Sequence, residues 1–74
     1  MSTIQVQQSA ERLLATLDMK GHRAQFVEVV ARERFPNEWG VIFDLYSPAG
    51  NLVDGPLVVL VDKKTGEARI FESA

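Results

Sequence analysis

Asp62-Lys63-Lys64-Thr65-Gly66 is the stretch whose residue types come closest to a reactive constellation. An aspartate beside lysine and threonine can accept a phosphoryl group while a neighbouring cation steadies the charge in flight. The spacing argues against it, because one lysine too many stands between the aspartate and the Thr-Gly pair. Such transfer also demands a nucleotide-binding apparatus and a metal site, and a chain of 74 residues has length for neither. A hairpin is the better reading: an apolar strand before, a polar connection whose Gly66 can take a positive φ, and a second strand after. It places Ile70 in the core and Arg69 and Phe71 on the opposite face of the sheet.

The remaining chemistry-bearing residues are sparse. His22 is the single histidine and reads as a solvated group at the end of a helix, interacting with the helix dipole. Ser2, Ser9, Ser47 and Ser73 have no adjacent base and no Gly-x-Ser-x-Gly elbow, so nucleophilic hydrolysis has no support. No His pair, His-Glu-x-x-His or calcium-loop spacing exists, and there is no cysteine, so neither a metal nor another cofactor is expected. The glycines never form a phosphate-cradling loop at a helix start. Lys63 and Lys64 make only a small basic spot. With a formal net charge of −2, a nucleic-acid partner is not expected, although Phe and Tyr side chains on a sheet can stack bases. The expectation is a protein without catalytic activity.

Composition frames this result. With 46% hydrophobic and 24% charged residues the chain has the balance of a folded protein, and its length suits one domain near the lower limit for a self-supporting core. The opening MSTIQVQQSAERLL lacks the basic-then-apolar order of a secretory signal, and no apolar run is long enough to span a membrane. A cytoplasmic location is expected.

The elements that must position these residues follow from periodicity. Over residues 1–20, Val6, Ala10, Leu13, Leu14 and Leu17 recur on one helical side. Ser2 and Gln5 have the spacing of a capping box, Met1 and Val6 that of a hydrophobic staple, and Lys20-Gly21 suits the far end. In residues 24–35 three valines favour a strand, while Ala, Gln, Glu and Arg leave a helix open. Residues 36–38 form a turn, 39–47 an alternating strand, 48–56 a loop with two turn signals, 57–61 an apolar strand, and Glu67 to Phe71 a last strand. The expected fold is α+β: one N-terminal helix laid across a four-stranded antiparallel meander, in the order α-β-β-β-β.

Strand parity then divides the sheet. Val27, Val29, Ala31, Phe35, Trp39, Val41, Phe43, Leu45, Leu57, Val59, Val61, Ala68 and Ile70 are expected to face the helix. The other face collects Phe26, Glu28, Val30, Arg32, Arg34, Ile42, Asp44, Tyr46, Val58, Leu60, Asp62, Arg69 and Phe71, and a single helix leaves it uncovered. Leaving large apolar side chains in water forfeits burial free energy of about 1.5 to 3 kcal/mol each, so a partner is expected there. Arginine and tyrosine beside apolar anchors are the residue types enriched at binding hot spots.

Glu38-Trp39-Gly40-Val41-Ile42-Phe43, together with Gly55-Pro56-Leu57-Val58-Val59-Leu60-Val61-Asp62-Lys63 leading into Thr65-Gly66, resembles the YrhB-like immunity proteins of bacterial toxin systems. Tryptophan precedes glycine in this chain, where the family pattern has it following. The resemblance implies a small non-catalytic protein that binds a toxin and blocks its active site or substrate path, with Arg32, Arg34, Asp44, Tyr46, Arg69 and Phe71 on the open face as its partner-binding candidates and Asp54 and Glu72 as acidic rim groups against a basic nuclease. The competing expectation is a self-associating domain in which two copies pair through open faces or edge strands to form a homodimer.

Overall fold

A computed structural model describes residues 2–71. Helix α1 spans Thr3–Thr16 and is followed by strands β1 (Arg23–Ala31), β2 (Glu38–Tyr46), β3 (Leu57–Asp62) and β4 (Ala68–Ile70). The strands form one antiparallel sheet in the order β1-β2-β3-β4, so the expected α+β meander is the fold observed.

The helix starts as its sequence dictates. Ser2 accepts a hydrogen bond from the Gln5 amide and the Gln5 side chain accepts one from the Ser2 amide, closing the capping box. Met1, its expected staple partner, lies outside the described residues. The helix ends earlier than expected, at Thr16, with Leu17 already extended. Asp18 accepts from the Lys20 amide, Lys20 and Gly21 both take positive φ, and His22 donates its amide to Met19. This tight turn replaces the last helical turn, so Leu17 leaves the apolar stripe and is exposed. Lys20-Gly21 is therefore the entrance to β1 and not the helix terminus.

Val6, Ala10 and Leu14 bury their side chains against Val41, Phe43, Val59 and Val61 of the two central strands. Leu13, Ala24, Phe26, Val29, Trp39, Leu57, Ala68 and Ile70 pack around that centre. Lys63 lays its ammonium 4.3 Å from the Trp39 ring centroid, covering the rim of the core with its aliphatic stem.

Two residues trade places relative to strict alternation. Phe26 pairs with Phe43 but Glu28 pairs with Ile42, so Val27 is the extra residue of a β-bulge. Phe26 thereby turns to the helix side, where its ring meets Phe43 edge-on at 6.1 Å, and Val27 is expelled to 45% exposure. Phe35 also leaves the core face. β1 ends at Ala31, and residues 32–38 fold through two successive turns, Phe35 N–H to Arg32 O and Glu38 N–H to Phe35 O, which carry Phe35 out to 47% exposure.

The bulge makes a sharp prediction for stability. Phe26→Ala is expected to cost about 2 kcal/mol or more in urea unfolding, whereas Val27→Ala stays within about 0.5 kcal/mol of the parent. The reverse order would mean that β1 keeps simple alternation.

Candidate docking site

The face of the sheet turned away from α1 carries Val30, Glu38, Gly40, Ile42, Asp44, Tyr46, Val58, Leu60, Asp62 and Arg69 along the strands. It is not the bare surface that parity suggests. Leu60, opposite Gly40 and Arg69 in the ladder, is only 2% exposed. No helix lies on this side among the described residues, so same-face side chains alone close over it. Gly40 makes this possible. A Cβ there would meet Val30 Cγ2 at 3.0 Å, and the Arg32 stem lies at 4.0 Å, so the missing side chain is the space into which Val30 and Arg32 settle.

Above this small second core stands a cluster built on Glu38. Arg32 Nη1 donates to Glu38 Oε2 at 3.2 Å, and Arg69 Nη2 donates to both carboxylate oxygens at 3.1 Å. Glu38 is half-buried, and the two arginines reach it from opposite sides of β2 in the strand order, one from beyond β1 and one from β4. The Arg32 guanidinium lies 4.2 Å from the ring centroid of Phe35 and 5.3 Å from that of Phe71. Both rings stay substantially exposed, at 47% and 43%. The result is a guanidinium held by a carboxylate and abutted by two phenylalanines whose outer surfaces face water.

The six candidates named from sequence thus divide. Arg32 and Arg69 come together on Glu38, Phe71 lies against the Arg32 guanidinium, and Arg34 is exposed in the adjoining turn. Asp44 and Tyr46 are half-buried on the same face but lie toward the far end of β2, six and eight residues along the strand from Glu38, or about 20 and 27 Å. Asp54 is exposed in the β2–β3 connection, and Glu72 lies outside the described residues. Glu38 and Phe35 are the members that periodicity missed. Glu38 sits in what reads as turn chemistry after Pro36, and only the three-stranded juxtaposition reveals that it is shared by two arginines from positions 32 and 69.

The β2–β3 connection is more ordered than a plain loop. Ser47 donates its amide to Asn51, Val53 donates to Leu45, and Tyr46 bridges to Leu52, so the chain doubles back on the end of β2 before turning into β3. Gly50 and Gly55 supply the positive φ angles that the two turns require.

Asp62 ends in structural service. Its Oδ1 accepts from the Lys64 amide at 2.7 Å and the Thr65 amide at 2.9 Å, while Gly66, at φ 76°, donates its amide back to the Asp62 carbonyl. The carboxylate that resembled a phosphoryl acceptor is the cap of the β3–β4 hairpin. The Thr65 amide, followed by that of Lys64, holds the carboxyl below the ordinary aspartate range.

His22 is not at a helix end, since α1 stops at Thr16. Its Nδ1 lies 3.0 Å from the Met19 carbonyl oxygen, which can only accept, so Nδ1 carries the proton and the ring staples its own turn. It lines an open recess of about 300 Å³ with Leu14, Leu17, Met19, Leu45, Leu57 and Ile70. Among the described residues no group of three His, Asp or Glu side chains gathers as a metal site, and no helix is long and apolar enough to cross a membrane.

Comparison with known proteins finds no family model, no curated protein and no solved structure that matches this chain.

Two measurements probe these contacts. The Asp62 carboxyl, followed by ¹³C NMR, is expected to titrate below the ordinary aspartate value of about 3.9. Because its folded value is the lower one, its contribution to stability is complete above that ordinary value and is lost as the pH falls through the folded value. Asp62→Ala should flatten that part of the acid-unfolding curve; an unchanged curve refutes the cap. In a double-mutant cycle, Glu38→Gln with Arg32→Gln should show coupling of about 0.5 to 1 kcal/mol, and zero coupling would make the ion pair energetically idle.

Proposed function

We propose that this chain is a small non-catalytic protein-binding domain that docks a partner on the sheet face opposite its helix. The observation that carries the reading is the pair of half-exposed phenylalanines, Phe35 and Phe71, set against an arginine already fixed by Glu38. Docking onto such a patch pays little ordering entropy, because the ion pair holds Arg32 in place before the partner arrives. Aromatic and arginine side chains are also the types that dominate binding energy in interfaces. Asp44 and Tyr46 extend the same face by about 27 Å along β2 from Glu38, which suits a partner surface of ordinary interface size.

The resemblance to YrhB-like immunity proteins gives this reading its specific form, a bacterial cytoplasmic protein that neutralises a toxin by occupying its active site. A self-associating, homodimeric domain is the second reading. The nine-residue outer edge of β1, which pairs only with β2 among the described residues, favours it.

The docking reading is tested by capturing partners from the native cell with the tagged chain and with a Phe35→Ala/Phe71→Ala variant. The variant is expected to keep a parental thermal midpoint within a few degrees, since both rings are exposed, and to lose captured partner at least tenfold. Equal capture by a folded variant would move the interface elsewhere. Co-expression with the captured protein then separates a toxin, whose growth arrest this chain relieves, from any other partner.

A further inference from the structure

We infer that the apolar recess beneath the end of α1 is a binding site for a small alkylammonium compound, its hydrocarbon body against Leu45, Leu57 and Ile70 and its ammonium at the rim formed by Asp18 and His22. The recess lies on the helix side of the sheet, so this site is separate from docking on the open face.

The recess exists because α1 stops short. Its last residue is Thr16, so the ends of β2, β3 and β4 that carry Leu45, Leu57 and Ile70 are not covered by helix, and the turn from Asp18 to His22 borders the gap without filling it. The space is about 300 Å³, at the lower bound of small-molecule sites and about twice the volume that admits benzene in an engineered apolar cavity. A second recess of about 270 Å³, lined by Glu11, Ala15, Ala24 and Phe43, shares Leu14 and Met19 with the first. Met19 therefore borders both, and its unbranched thioether can change rotamer to fit a linear chain.

The polar side chains around these spaces select the head group. Glu11 and Asp18 have no ion-pair partner among the described residues, and no lysine or arginine lines either recess. Lys20 and Arg23 flank the turn but line neither space. Asp18 gives Oδ1 to the Lys20 amide and keeps Oδ2 as an acceptor. His22 holds its Nδ1 proton against the Met19 carbonyl, which leaves Nε2 as an unprotonated acceptor. The two polar side chains lining the first recess thus offer acceptors and neither offers a donor. An ammonium brings three donors and a positive charge to them, whereas a carboxylate would meet only acceptors and a like charge.

Hexylamine is the probe, followed through the methyl NMR signals of Met19, Leu45, Leu57 and Ile70 in the full chain. Saturable shifts at these methyls are expected, with a Kd in the millimolar range. Each buried methylene is worth roughly fourfold in affinity, so butylamine should bind about 15-fold more weakly. Hexanoate, equal in length and opposite in charge, should bind about tenfold more weakly or worse. Asp18→Asn keeps an oxygen for the Lys20 amide and removes the charge, and His22→Asn keeps a donor for the Met19 carbonyl and removes Nε2; each should weaken hexylamine about threefold or more. Absence of saturable shifts at these methyls overturns the site. Equal affinity for hexylamine and butylamine reduces the contact to a surface ion pair, and equal affinity for hexylamine and hexanoate reduces it to unselective apolar adsorption; either result overturns the proposal. Unchanged affinity in both variants, each with a parental thermal midpoint, overturns the placement of the ammonium at Asp18 and His22.

Discussion

A helix of 14 residues is about 21 Å long and can lie against only one face of a four-stranded sheet. Every other feature of this molecule answers to that constraint. The covered face holds the close-packed centre of Val6, Ala10, Leu14, Val41, Phe43, Val59 and Val61, and the bulge at Val27 turns Phe26 inward to extend it. The uncovered face must be closed by its own side chains. It does so around Leu60, with Gly40 giving Val30 and the Arg32 stem room to lie flat on the sheet.

Arginine suits that closing layer because its two halves behave differently. The aliphatic stem covers apolar surface and the guanidinium stays hydrated or paired. Glu38 draws Arg32 and Arg69 together over the strands between them, so the same ion pairs that close the second core also fix the chemistry shown to solvent. Closing the second core and shaping the exposed surface are therefore not separable here. Phe35 and Phe71 complete it from two segments outside the regular strands, the turn after β1 and the residue after β4.

The hairpin at Asp62 shows how a short motif can invite the wrong chemistry. An aspartate followed by lysine and threonine has the residue types of phosphoryl transfer, yet its carboxylate oxygen is occupied by two backbone amides of its own turn. Satisfying those donors sets the register of β3 against β4 and so brings Arg69 beside Glu38. The turn contributes to the candidate site by placing residues in it.

Much of this was legible in the residues alone, and the reason is locality. The capping box at Ser2 and Gln5, the alternation through β2 and the Gly66 turn depend on groups a few residues apart, so local spacing determined them. The paired apolar residues Phe26-Val27 and Val29-Val30 already conflicted with simple alternation, but where the bulge falls depends on which side chain fills the space beside Phe43. The early end of α1 turns on a competing set of hydrogen bonds at Asp18 and Met19. Glu38 shared by Arg32 and Arg69, and Leu60 buried without a covering helix, were decided only by tertiary structure. They bring together side chains distant in sequence, and no periodicity records which distant residues a folded sheet makes neighbours.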